Sequence, residues 1–447
     1  MSIAPDELLD GLGRVMACAG LTAPSDLVRL TGGATMESWR FECGDDAFVL
    51  RRAPSLEFMK DRPFGHDVEA AVIRAAGAAG VAAPEVVVEL EPDDGIGSGF
   101  VMRALPGTPN PKDILNMDEP DRLLSECAAN LARIHSLGRD DVPQAVPVMD
   151  YRAVIADLKR QFEEAGGDRP IIALGLKWME DNCPEANEPV LNHGDFRMGN
   201  LLAQDGWLTG VLDWELAHFG DYHEDLAFGC MAVWRFARYD RPALGLGDLE
   251  TYFDAYEANG GRKVDRKRFR YWLIHRTVWW ALGCLKMAAI WRSGEDRMLE
   301  RVVISRRTSE QELDLLMLLE EDAPEQERSR LVQSPSAAPQ VGEATDGELA
   351  IAIHEWLGTV KDRFEGHDRF QYAVARNALG MISRYDATAI PAFENAPLAR
   401  QAMSGEATLA DTGLLTQLRE AILATIMQDV PKYPALAIAR KKWTGKE

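Results

Sequence analysis

Val190-Leu191-Asn192-His193-Gly194-Asp195-Phe196-Arg197-Met198-Gly199-Asn200-Leu201-Leu202 is the stretch from which this chain is best read. An apolar pair leads in and an apolar pair leads out. Between them His-Gly-Asp is followed by four residues and then Asn, and thirteen residues after that Asn the apolar pair Val211-Leu212 ends on Asp213, ahead of Trp214-Glu215. The residue types suit one chemistry. An Asp such as Asp195 can orient a hydroxyl and accept its proton, while Asn200 and Asp213 offer hard oxygen ligands for Mg²⁺ bound to phosphate. His193 is expected to support the loop through hydrogen bonds rather than to act as the base. A turn rich in Asp and Gly between two hairpin strands would have a similar local composition. The spacing of the complete set, with a second Asp at a strand end, favours phosphoryl transfer.

At these residues the chain resembles the aminoglycoside phosphotransferase and choline kinase superfamily. Asp213-Trp214-Glu215, Ala217-His218-Phe219-Gly220-Asp221 and Glu224-Asp225-Leu226-Ala227 are similar to the branch sometimes fused to acyl-CoA dehydrogenases. The resemblance covers roughly residues 25–320. It implies an α+β, two-lobed protein-kinase-like fold with ATP and Mg²⁺ between the lobes and a small-molecule hydroxyl as acceptor. It also implies roles. Asp195 receives the acceptor hydroxyl, and Asn200 and Asp213 hold the metal. Arg51 stands where relatives carry the lysine that meets the α- and β-phosphates, and Glu69 stands where its partner is expected. The backbone around Met102, Arg103 and Leu105 would meet the adenine edge. The Gly32-Gly33 turn, with Thr35, would lie over the phosphates, because glycines let backbone N–H groups approach phosphate oxygens. Asp225 would brace the catalytic loop. Arg at position 51 is permanently charged and forks onto phosphate, so its geometry differs from that of lysine. Each of these positions also has a plain alternative: a hairpin turn at Gly32-Gly33, a solvated strand end at Arg51, a surface Glu69, a strand entering the turn at Pro106-Gly107.

Composition bounds the rest. The 447-residue chain is long for one domain, and 46% apolar residues suffice for sizeable cores. A net charge of −22 argues against nucleic acid or an anionic membrane as partner of the whole chain. Six scattered cysteines without a Cys-x-x-Cys read as reduced thiols, and the first residues lack a basic and apolar leader, so a cytoplasmic location is expected. The apolar run Val278 to Trp291 is interrupted by Lys286 and is too short to span a bilayer.

Along the chain, Leu8, Leu9, Leu12, Val15 and Met16 predict a leading helix. Strands are predicted at Leu27–Leu30, Ser38–Cys43, Ala47–Arg51 and Gly99–Met102, and a helix from His66 to Ala79. Helices are predicted through 120–182 and again through Trp272–Trp291 and Met298–Leu319. Paired Trp279-Trp280 suit a helix packed on two sides or the wall of an acceptor pocket. The expected organisation is an N-terminal lobe at 1–105, a helical lobe with the catalytic loop at 106–320, a Pro-, Ser- and charge-rich linker at 321–347, and a separate all-helical domain at 348–447. That last domain repeats apolar residues such as Leu349, Ile351, Ile353 and Trp356 at helical spacing. Its Arg363, Arg369, Arg376 and Arg384 can meet a phosphate, although exposed helix faces ordinarily look the same.

The function implied is ATP-dependent phosphorylation of a hydroxylated metabolite, with a hydroxyacyl-CoA as the leading class. An aminoglycoside acceptor and a nucleotide-binding regulatory protein with little turnover are the alternatives. Oligomeric state is not readable.

Overall fold

The computed structural model describes residues 4–30, 36–53, 59, 62–332, 344–385 and 395–446. The chain divides into two compact units, residues 1–150 with 185–269 and residues 151–184 with 270–447.

The first unit begins with the helix Pro5–Cys18, whose Leu8, Leu12, Val15 and Met16 are buried at helical spacing. They pack with Trp39, Phe41, Phe48, Leu50 and Val101 on one face of an antiparallel sheet. Each such side chain contributes about 1.5–3 kcal/mol by leaving water. The packing is tight enough that a Cβ on Gly11 would come within 2.1 Å of Ile96. The sheet comprises β1 (Ser25–Arg29), β2 (Glu37–Cys43), β3 (Asp46–Ala53), β4 (Val86–Glu89) and β5 (Ser98–Arg103), in the order β1-β2-β3-β5-β4. The predicted strands are all present, each lengthened or shifted by one to three residues. The helix His66–Ala78 follows β3 and lies against β4 and β5.

Two further hairpin-like pairs carry the segment from Val190 to Asp213. β6 (Val190–Asn192) pairs with β9 (His218–Gly220), and β7 (Leu201–Gln204) pairs with β8 (Trp207–Val211). Neither pairing was expected. β7 and β8 are joined by Asp205-Gly206, both at positive φ (51° and 76°), the pair of conformations that matches the twist of a two-residue hairpin. β5 leads into Pro106-Gly107, and the backbone then joins the β7–β8 hairpin: Thr108 N–H donates to Ala203 O at 3.0 Å and Ala203 N–H returns to Thr108 O at 3.2 Å. Gly107 has φ 103°, and a Cβ there would meet Ala203 O at 2.7 Å, so only glycine allows this approach. Val211 N–H also donates to Ala82 O at 2.7 Å, a second backbone tie between the segment ahead of β4 and the hairpin.

The second unit is helical among its described residues. Leu313, Leu316 and Leu319 of the helix Thr308–Leu319 are buried, as are Leu415, Leu418, Ile422 and Ile426 of the helix Leu414–Asp429. The helices Tyr151–Glu164 and Pro170–Asp181 belong to this unit, not to the one that holds the catalytic segment. The boundary expected at 320 also falls inside it. The reason is a buried polar cluster: Arg419 donates to Glu320 Oε2 at 2.7 and 3.0 Å and to Arg328 O and Arg330 O, while Trp443 Nε1 donates to Glu320 Oε2 at 3.0 Å. Residues 320–332 are thus held in place, with Glu320 and Glu327 buried, and residues 333–343 of the expected linker lie outside the described residues. Leu349, Ile351, Ile353 and Trp356 are exposed on the helix Asp346–Gly358, whose buried positions are Gly347 and Ala350. Trp279 and Trp280 are half-buried, short of the two-sided core packing their pattern suggested. Among the described residues no helix is long and apolar enough to cross a membrane.

Candidate active site

The site is assembled in the first unit from the turn after β6, the segment after β8, β3 and the helix His66–Ala78. The turn is fixed by Asp225 on the helix Tyr222–Phe228. Its carboxylate accepts from the backbone N–H of His193 at 2.6 Å and of Gly194 at 2.8 Å, and His135 lies 3.3 Å away. Burial alone would raise Asp225. The partnership with His135 and the bonds to the loop outweigh it and hold the carboxyl below its usual range. Gly194 has φ 83°, and a Cβ there would meet Leu216 O at 2.4 Å, which explains the glycine of His-Gly-Asp.

His193 is fully buried. Its Nδ1 accepts from the Asp195 N–H at 3.2 Å, so Nε2 carries the proton and donates to Leu212 O at 3.1 Å. Burial pushes its pKa down, keeping the ring neutral. Both nitrogens are thereby spent on backbone, and the ring pins the Asp195 turn to the residue preceding Asp213.

Asp195 is held from two sides. Arg197 Nε donates to Oδ1 at 2.7 Å and Nη2 to Oδ2 at 3.1 Å, and Asn200 Nδ2 donates to Oδ2 at 2.6 Å. The Arg197 guanidinium rests on the Trp234 ring at 4.1 Å. Burial, reinforced by the nearby Asp213 charge, pushes Asp195 up to about 6 against the pull of Arg197. It is therefore ionised at neutral pH but not far from titration. A carboxylate offers about four lone-pair positions, and the three donors leave one open. Arg197 was not singled out from the sequence, although it lies inside the stretch that was.

Asp213 sits at φ 72°, a left-handed conformation that costs a non-glycine residue free energy and that Asp tolerates better than most. Its Oδ1 accepts from Arg51 Nη2 at 2.6 Å, and the same nitrogen reaches Glu215 Oε2 at 2.9 Å. Arg51 Nε lies 3.0 Å from Glu69 Oε1, and Arg62 Nη1 lies 3.3 Å from Glu215 Oε1. Burial disfavours the Arg51 charge, but the three carboxylates more than compensate and fix it protonated. Burial raises Glu69 to about 7 despite Arg51. For Asp213 the order reverses: burial would raise it, and Arg51 above all holds it below its ordinary value. Glu215 and Arg62 escaped the sequence reading. Glu215 is adjacent to the decisive motif; Arg62 carried no local signal.

The expected residues thus divide into three groups. Asp195, Asn200, Asp213, Arg51 and Glu69 are linked by contacts, and His193 braces them. Met102, Arg103 and Leu105 lie at the end of β5. There the Arg103 N–H donates to Glu85 O and the Ala104 N–H to Ala47 O, both at 2.9 Å, so the Leu105 N–H is the donor not committed to a described partner. The Arg103 side chain turns outward to Glu85 and Asp46. Gly32, Gly33 and Thr35 lie outside the described residues. Arg52, next to Arg51 in β3, is also buried and lies 3.4 Å from Glu37.

The donor set suits a hydrated divalent cation bound to phosphate. Asn200 spends its amide N–H groups on Asp195, leaving its carbonyl oxygen uncommitted, and Asp213 Oδ2 has no described partner. Three carboxylates (Glu69, Asp213, Glu215) converge on Arg51, and Arg62 lies against Glu215. Among the described residues no group of three His, Cys, Asp or Glu is arranged to hold a metal by itself. Mg²⁺ ordinarily relies on one or two carboxylates plus substrate phosphates and water.

Acyl-CoA dehydrogenase family member 10 of Mus musculus is 28% identical over 261 residues, which is 54% of this chain and 24% of that protein. Hygromycin-B 4-O-kinase of Escherichia coli is 27% identical over 219 residues, 45% of this chain and 61% of that one. The chain thus spans less than two thirds of the length of either relative. Among solved structures, a thermostable mutant of aminoglycoside phosphotransferase APH(4)-Ia, in ternary complex with AMP-PNP and hygromycin B, shares the fold with a TM-score of 0.50 at 17% identity, covering 70% of this chain and 97% of that chain. The sequence profile described as the phosphotransferase enzyme family matches residues 26–263, more than half of the chain, and the protein belongs to that family.

Proposed function

We propose that the protein transfers the γ-phosphoryl group of ATP to a hydroxyl of a small molecule. The observation that carries this reading is the joining of Asp195, Asn200 and Asp213 in one loop system with Arg51 and Glu69 on the facing sheet and helix. Binding of AMP-PNP by the similar APH(4)-Ia structure supports the choice of nucleotide.

In this reading the Leu105 N–H receives the adenine edge, and Arg51 turns its guanidinium to the phosphates while Glu69 holds its Nε. Asn200 and Asp213 hold Mg²⁺, which when bound neutralises charge on the phosphates. Arg197 and Asn200 aim the Asp195 carboxylate, whose remaining lone pair accepts the acceptor hydroxyl's proton. Positioning and electrostatics then supply most of the rate.

For the acceptor, we favour a hydroxylated acyl thioester or related metabolite. Similarity to acyl-CoA dehydrogenase family member 10 supports it. Similarity to hygromycin-B 4-O-kinase favours an amino sugar as the second reading. Mg²⁺-dependent ATP turnover across a panel of hydroxyacyl-CoAs, hydroxy acids and aminoglycosides separates them. Turnover restricted to aminoglycosides would overturn the first. Nucleotide binding without turnover on any acceptor would leave a regulatory nucleotide-binding protein.

A further inference from the structure

The second unit holds a cleft of about 470 Å³ lined by Lys361, Arg369, Arg376, Arg384 and Lys432, with Asp429 as its one acidic side chain. In a chain carrying 71 acidic and 49 basic residues, a five-to-one excess of cations around one cleft is a local inversion of charge. Even the one carboxylate is committed elsewhere, since Arg306 Nε donates to Asp429 Oδ1 at 2.7 Å. The cleft lies outside residues 26–263, and nothing in the proposed phosphoryl transfer uses it.

The arrangement follows from the sequence of the helix Gly366–Tyr385. Arg369, Arg376 and Arg384 are separated by seven and eight residues, two helical turns each, and fall on one stripe with Tyr372 and Gly380. Gly380 leaves the space beside Arg384 open, because a Cβ there would lie 3.1 Å from Arg384 Nη1. The guanidiniums are steered largely by neutral acceptors, and Arg369 also lies 3.9 Å from the almost fully exposed Asp362. Arg384 donates to the carbonyls of Gln428 and Asp429 at the end of the helix Leu414–Asp429. Arg369 donates to Lys361 O at 3.2 Å. Arg376 Nη2 lies 2.6 Å from His354 Nε2, and His354 Nδ1 lies 3.0 Å from the Arg376 carbonyl, so the ring braces the guanidinium. Arg376 Nε is buried without a hydrogen-bond partner among the described residues, and a buried unpaired guanidinium nitrogen is costly unless a ligand completes it. Lys361 and Lys432 are exposed and make no ion pair among the described residues.

We propose that this cleft is a second binding site, for a soluble small molecule bearing several phosphate groups. Its volume is in the range of sites for molecules of nucleotide size. Along the helix, Arg376 lies roughly 10 Å from Arg369 and roughly 12 Å from Arg384 at 1.5 Å per residue, so the cations suit an anion whose charges are spread rather than a single phosphate. Forked donors from Arg, with lysines at the rim, are the usual means of holding such groups.

The test is calorimetric titration of the full chain with tripolyphosphate. Because the candidate active site also takes phosphates, the titration is repeated on Arg51→Ala. Tripolyphosphate should still bind that variant. Adding Lys361→Ala and Lys432→Ala, both exposed and unpaired and so compatible with folding, should weaken the remaining binding by about tenfold or more, the scale of a lost charge-assisted hydrogen bond. Arg376→Gln should weaken it similarly. In the otherwise wild-type chain the lysine pair of substitutions should leave Mg²⁺-ATP affinity unchanged. Loss of all tripolyphosphate binding in folded Arg51→Ala, or binding indifferent to the lysine substitutions, overturns the proposal. So does capture of the protein by phosphatidylcholine vesicles containing phosphatidylinositol bisphosphate when free tripolyphosphate does not bind.

Discussion

The two units each bury an arginine in ionic contact, and they do so to opposite effect. Around Arg419, one carboxylate, Glu320, is met by the guanidinium, by Trp443 Nε1 and by Lys442, and Arg419's remaining donors go to backbone carbonyls. Around Arg51, Glu69, Asp213 and Glu215 converge, with Arg62 beside Glu215, and the Asp213 side chain is 26% exposed. The first cluster is closed and lacks surplus negative charge; it fastens helices. The second gathers three carboxylates on one guanidinium, is open on one side at Asp213, and includes a residue in a strained backbone conformation. A buried ion pair does not by itself announce a site. Carboxylates converging next to solvent, with strain beside them, are the better sign.

That contrast can be broken most sharply at Asp195. Asp195→Asn should cut phosphoryl transfer about 10²–10⁴-fold, the range for a positioned proton acceptor, while calorimetry shows nearly unchanged Mg²⁺-ATP affinity. A variant within a few-fold of wild type would remove Asp195 from the reaction. In the closed cluster the effect should be on folding instead. Arg419→Met leaves Glu320 buried with fewer donors, and chemical denaturation should show a loss of about 3–5 kcal/mol. If Arg419→Met unfolds at the wild-type denaturant midpoint, the cluster does not fasten the helices.

Arg51 should behave as the reverse of Arg419. Arg51→Ala is expected to raise the KM for ATP roughly ten- to hundredfold, from lost charge-assisted bonds to phosphate. Arg51→Lys should recover part of that loss. A wild-type KM in Arg51→Ala would leave the phosphates to another cation.

The smallest effect is in pH dependence. Asp195 must be ionised to accept a proton, so kcat/KM should fall as pH drops through about 6, approaching tenfold per unit well below it. The stability contribution has the opposite sign. A carboxyl raised from 3.8 to about 6 on folding adds stability that is full below pH 3.8 and lost as pH rises through about 6. Asp195→Asn should therefore flatten this part of the stability profile as well as the acid limb of the rate. An acid limb that remains at pH 6 in Asp195→Asn belongs to another group.

Local periodicity made much of the fold legible. β2 and β3 alternate around Gly44-Asp45, and the helix at Pro5–Cys18 shows its stripe openly. The candidate site residues Asp195, Asn200 and Asp213 could be read because the loop is compact in sequence. What could not be read was long-range. β6 pairs with a strand that begins 26 residues after it ends, and Arg62 reaches Glu215 across 153 residues. The β7–β8 hairpin had its signal, Asp205-Gly206, but the functional motif on either side of it drew the reading elsewhere. In the C-terminal region helical spacing was taken to mark a core of its own. The structure shares that core with helices from 151–184 and 270–319, because apolar periodicity states that a face is buried and not what buries it.

One consequence of the backbone ties at Thr108, Ala203 and Val211 is mechanical. A cleft between sheet and catalytic hairpin is commonly imagined to swing on a free pivot. Here three main-chain bonds latch the two sides together, so any excursion that separates them must break bonds and not merely rotate dihedrals. At about 0.5–1.5 kcal/mol each, the latch makes wide opening rare and cooperative, not continuous. The amide protons of Thr108, Ala203 and Val211 should then exchange with solvent together, and their shared rate would count each time the cleft lets go.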